Sequence, residues 1–156
     1  MRKSATRTII GSLAVVGMVV AMALPVLGGG RPLTAELSGD NEVPPSGSEA
    51  TGTAQVTLNQ GLEEVCVEIQ SSGYEEGEVI VAGHIHAAPA GVNGDIVVNL
   101  QVTSPNHSIC VDGDDDPNFP FDAELIKDIR QNPSDYYVNL HSNLVPSGVI
   151  RGQLSK

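Results

Sequence analysis

The sequence predicts a mostly β fold, an antiparallel sandwich or barrel with one short helix. Three observations point there. About eight short segments alternate apolar and polar residues with a period of two, as half-buried strands do. Gly, Pro and Asn separate them at the close spacing of sandwich folds. A single stretch switches to helical periodicity.

Taken in order, "LTAEL" sets Leu33, Ala35 and Leu37 on one face, and "GTAQVTL" does the same with Ala54, Val56 and Leu58. "EVCVEI" offers Val65, Val67 and Ile69, and "VIVAGHI" offers Val79, Val81 and Ile85. "DIVVNLQV" gives Ile96, Val98, Leu100 and Val102, and "ICV" gives Ile109 and Val111. Near the end, "YVNL" contributes Val138 and Leu140, and "VIRGQL" contributes Ile150 and Leu154. Turn residues at "NQG" and "VNGD" suit hairpins. The exception is "FDAELIKDIRQNPS". Asp122 stands at an N-cap position, Leu125, Ile126 and Ile129 share a face, and Pro133 follows the end, which predicts one short helix.

Ahead of these elements, Arg2, Lys3 and Arg7 precede an apolar run from Ile9 to Leu24, and Ala21-Met22-Ala23 supplies a small-x-small site. This pattern predicts a secretory signal peptide over residues 1–23, a linker over 24–32 and one domain over 33–154. An uncleaved N-terminal anchor is the competing reading, because the run is near the lower limit for a bilayer span. Either way the domain is expected outside the cytoplasm, secreted or periplasmic.

The chain carries 8 basic and 19 acidic residues, and without Arg2, Lys3 and Arg7 its net charge is −14. Such a surface repels nucleic acid and anionic lipid. The expected partner is therefore an extracellular protein or a metal ion, with no membrane contact beyond the leader. With no Trp, two Phe and three Tyr, little material exists for a sugar-stacking platform. Cys66 and Cys110 are the only cysteines, and in an oxidising compartment a disulfide between them is the default.

The alternation also orients the histidines. With Ile85 in the core, His84 and His86 project together from the opposite face. With Val138 and Leu140 in the core, Asn139 and His141 face outward, as do Arg151 and Gln153 when Ile150 and Leu154 are buried. On a wet face these are ordinary polar residues. Two imidazoles at i and i+2 can also converge on one ion, and a third from a neighbouring strand would complete a three-nitrogen site for copper or zinc. Spacing alone does not tell whether the strand of His141 lies beside that of His84 and His86.

The motifs "LSGDNEVPP" (37–45), "AGHIHAAPAGVNGDIVVNL" (82–100), "NPSDYYVNLHS" (132–142) and "PSGVIRGQL" (146–154) resemble, in order, those of the CHRD domain. This module is named after chordin and also occurs singly in secreted bacterial proteins. The resemblance implies an immunoglobulin-like Greek-key sandwich or barrel related to copper/zinc superoxide dismutase, and no settled biochemical function. In that relative an H-x-H strand pair and a distant histidine hold copper, roles that would fall to His84, His86 and His141. With four histidines in the chain, a full copper/zinc centre is excluded and copper is the preferred ion. The implied function is a binding or interaction module, with a copper-only dismutase-like oxidoreductase as the alternative. Arg151 could supply local positive charge, although the acidic surface opposes steering of an anion.

Other motifs carry less. His107 could be a fourth ligand, but "SPNHS" reads as a loop and favours an exposed residue there. "VDGDDDPNF" alternates Asp112, Asp114 and Asp116, but Pro117 and Ala123 occupy the positions where a calcium loop needs Gly and Glu. Glu42 could pair with Arg151 and tie the two ends of the domain together. No nucleophile constellation emerges, so a non-enzymatic role is the expectation.

Overall fold

The computed structural model describes residues 32–156, so the leader expected over 1–23 and nearly all of the linker lie outside the described residues. The strands are β1 (Leu33–Ser38), β2 (Thr51–Asn59), β3 (Glu64–Ser72), β4 (Ile80–Ala87), β5 (Asp95–Asn99), β6 (Asn106–Asp112), β7 (Tyr136–Ser142) and β8 (Ile150–Gln153). The helix α1 spans Ala123–Gln131, between β6 and β7.

All eight strands form one antiparallel sheet in the order β5-β4-β7-β8-β1-β2-β3-β6. The sheet curls into a nearly closed barrel. Neighbours in space such as β3 and β6, β4 and β7, or β1 and β8 are distant in sequence, so the connections cross in the Greek-key manner. The two edges approach where Asn99, at the end of β5, donates to Asp116 beyond β6 at 2.6 Å.

The core follows the predicted alternation through β1, β2 and β3, where Leu33, Ala35, Leu37, Ala54, Val56, Leu58, Val65, Val67 and Ile69 are buried. Val98, Leu100, Val102, Val111, Val138, Leu140, Ile150 and Leu154 join them, while Ile96 and Ile109 are only half-buried. In α1, Asp122 Oδ1 accepts from the backbone amides of Glu124 and Leu125, satisfying two of the free donors of the first turn. Ile126 and Ile129 then dock on the core.

Three expectations need correction. Val79 and Val81 are 54% and 50% exposed, and Ile80 takes the core position instead. Ile80 pairs with Ser142 and Ala82 with His141, so Val81 is an extra residue on β4. Such a bulge shifts the alternation by one, and the core phase resumes at Gly83 and Ile85. The strand expected over 95–102 ends at Asn99, after which Gln101 adopts a positive φ of 53°. Finally, "NHS" (106–108) is strand rather than loop: His107 lies within β6, half-buried and paired with Ile69.

The cysteines form a disulfide across β3 and β6, where Cys66 and Cys110 are register partners. It lies on the outer face, since Val65, Val67 and Val111 beside it point inward.

Candidate metal centre

The register of β4 and β7 assembles the histidines. His84 pairs with Asn139, His86 with Tyr137, and Ala82 with His141. Across antiparallel partners, outward side chains at these positions share one face and lie within contact distance. His84, His86 and His141 therefore meet. One ring nitrogen from each lies within 4.8 Å of the others, and the ring centroids of His84 and His141 are 4.8 Å apart.

This face is not a wet surface. β7 is buried on both sides along most of its length, and His86 is 7% exposed. The segment around Asn41–Ser46 and the β4–β5 loop fold over it, joined where Asn93 donates to the carbonyl of Val43 at 2.8 Å. Phe119, from the segment before α1, approaches His84 with ring centroids 6.3 Å apart.

Two of the imidazoles are fixed by backbone carbonyls. His86 Nδ1 lies 2.9 Å from Gly94 O, and His141 Nδ1 lies 3.0 Å from Pro146 O. A carbonyl can only accept, so each Nδ1 carries the proton and each Nε2 presents a lone pair. Both Nε2 atoms are buried without a hydrogen-bond partner, as is His84 Nδ1. Carbonyl-anchored imidazoles with the second nitrogen free are the usual arrangement of metal ligands.

Electrostatics keep the rings neutral. Burial pushes the pKa of His84 down to about 4, helped by the neighbouring His141 and His86. Burial also lowers His86 and His141 below the usual histidine range, against the opposing effect of their carbonyl contacts. Neutral imidazole is the form that binds a metal. An ion held about 2.0–2.1 Å from each nitrogen needs them roughly 3–4 Å apart.

Glu42 and Arg151 do come together. Arg151 Nε lies 3.8 Å from Glu42 Oε2, with both side chains buried, and donates to Asn41 O at 2.6 Å. The guanidinium lies over the Tyr137 ring at 4.6 Å, and that ring also stacks on His86 at 4.8 Å. Burial raises the Glu42 pKa to about 7, although the Arg151 charge and the Asn139 amide pull it down. Arg151 is thus buried against Tyr137, not exposed beside the histidines. His107, on β6, stands outside the cluster.

Sequence reasoning passed over Gly94, Tyr137 and Pro146, and noted Asn139 only as outward-facing. A Cβ at Gly94 would lie 2.1 Å from Ala87 O, so glycine there allows the close approach that brings its carbonyl to His86. The alternation in "YYVNLHS" places Tyr137 with Asn139 and His141, and that was the available signal.

A curled antiparallel sheet whose outer face gathers three neutral imidazoles defines a β-barrel module with a candidate transition-metal centre. The family model of the CHRD domain matches residues 33–154, and the chain belongs to the CHRD domain family. No curated protein and no solved structure matches the chain.

Proposed function

We propose that this CHRD module is an extracellular binding domain that holds one transition-metal ion, preferably copper, through His84, His86 and His141. The observation that carries the reading is the convergence of three imidazoles, one nitrogen of each within 4.8 Å of the others, together with a buried, unpartnered nitrogen on every ring. Leaving such groups unpaired costs about 1–3 kcal/mol each, and a coordinated ion would remove that penalty. An all-nitrogen set suits copper or zinc better than a hard cation. The disulfide and the leader-like N-terminus support a location outside the cytoplasm.

A binding role is favoured over a dismutase-like oxidoreductase. Attracting an anion to the metal calls for exposed positive charge. Arg151, the candidate for it, is 3% exposed and engaged with Glu42, Asn41 and Asn93. Calorimetric titration of the domain with Cu(II) and Zn(II) tests the proposal. Wild type should bind one ion, and His86→Ala should weaken binding by more than the roughly 10–100-fold cost of losing an outer-sphere partner. Affinity no better than that of an unstructured histidine peptide would refute the site. If copper binds, a superoxide assay no faster than free copper leaves the binding role alone.

A further inference from the structure

Among the described residues, six buried side-chain atoms lack a hydrogen-bond partner, and all six belong to residues on or against this outer face. Three are the imidazole nitrogens. The others are Glu42 Oε1, Asn139 Oδ1 and Arg151 Nη2. Buried polar atoms are nearly always paired, so a concentration of exceptions points to something that the site receives.

Glu42 and Asn139 are 6% and 3% exposed, and both line a cavity of about 400 Å³ together with His86, Tyr137 and Ser147. Asn139 is the register partner of His84 and lies two residues from His141. The cavity therefore adjoins the imidazole triangle, with His86 belonging to both. Gly148 lets Glu42 and the Asn139 amide pack together. A Cβ there would lie 2.8 Å from Glu42 Oε1 and 2.8 Å from Asn139 Nδ2, so carboxylate and amide close over a bare backbone.

Charge narrows what fits. Arg151 already lies against Glu42, and a bound metal would add more positive charge, which disfavours a cation. An anion would meet the Glu42 carboxylate and the unpartnered Asn139 oxygen, while Arg151, whose Nη2 is unpaired, does not line this cavity. Resting on the metal reading above, we infer that this cavity is the exogenous-ligand site of the metal centre. It takes a small neutral protic molecule, which gives a lone pair to the ion and an N–H or O–H to Glu42 and Asn139.

Imidazole and 1-methylimidazole separate this from simple metal affinity, because both offer the same lone pair and only the first has an N–H. The domain is loaded with Co(II), whose visible spectrum reports an added ligand, and titrated with each, using free Co(II) as the reference. Imidazole should bind about tenfold more tightly than 1-methylimidazole, as expected for a hydrogen bond to a charged group. That preference should shrink in Glu42→Gln and in Asn139→Leu. Equal affinities in wild type would overturn the inference and leave the metal site standing. A preference that persists in both variants would report only the bulk of the methyl group, and would overturn it too. Failure of wild type to take up Co(II) would remove the metal reading itself, and this inference with it.

Discussion

His86 and His141 each commit one ring nitrogen to a backbone carbonyl, and that commitment decides what the other nitrogen does. Gly94→Ala should therefore act at a distance. The added methyl group would push against Ala87 O, displace the Gly94 carbonyl, and lower metal affinity roughly 10–100-fold in a calorimetric titration. Titration of the neighbouring residues gives a second prediction. Glu42 is raised to about 7, so its contribution to stability is present below the unfolded carboxylate value near 4.5 and is lost as pH rises through 7. The lowered histidines have the opposite sign. The unfolded chain binds protons that the folded site refuses, so stability falls as pH drops from about 6.5 toward 4. Urea unfolding of the metal-free domain should show Glu42→Gln gaining on wild type between pH 5 and pH 8, by on the order of 3 kcal/mol. A difference that does not change with pH would mean that Glu42 is not held near neutrality. At this scale the histidines were legible because strand alternation orients them. Gly94, Pro146 and Asn139 were not, because their roles depend on where loops fold back over the sheet.

Strand β4 shows both the reach and the limit of periodicity. Alternation correctly places Ile85 inside and His84 and His86 outside. It misplaces Val79 and Val81, because one inserted residue reverses the phase and leaves no mark in the apolar pattern. The bulge has a testable consequence. Val81→Lys should change stability by no more than about 0.5 kcal/mol, as for an ordinary surface site. Ile80→Ala should cost about 2–5 kcal/mol, as for a core deletion. Chemical denaturation that ranked them the other way would mean that Val81 faces the core. The helix was legible for a local reason, since its cap and apolar face lie within one short stretch. Strand β6 was under-read because "NHS" has none of the β-branched or aromatic residues that mark a strand, and it is defined by its pairing with β3.

For the whole molecule, the eight strands and the disulfide could be anticipated, whereas the order of the strands could not. Pairing of β4 with β7 joins residues roughly fifty to sixty positions apart, and no local pattern encodes such a choice. The metal proposal depends on that pairing, which is why the histidine motif alone left the question open. The disulfide sits across β3 and β6, several strands from the histidines in the sheet order. Replacing both cysteines by serine should lower stability by about 4 kcal/mol in the chain-entropy model for a 44-residue separation. Metal affinity of the folded fraction should be unchanged. Loss of the metal site together with the disulfide would show that the two ends of the sheet are coupled more tightly than this architecture implies.

In the proposed centre, three imidazoles from two strands act as one ligand set. Electron paramagnetic resonance of the domain with one equivalent of Cu(II) tests it most directly. Wild type should give a single copper species with hyperfine coupling to three imidazole nitrogens, reduced to two in His141→Ala. A heterogeneous signal, or one unchanged by His141→Ala, would contradict it.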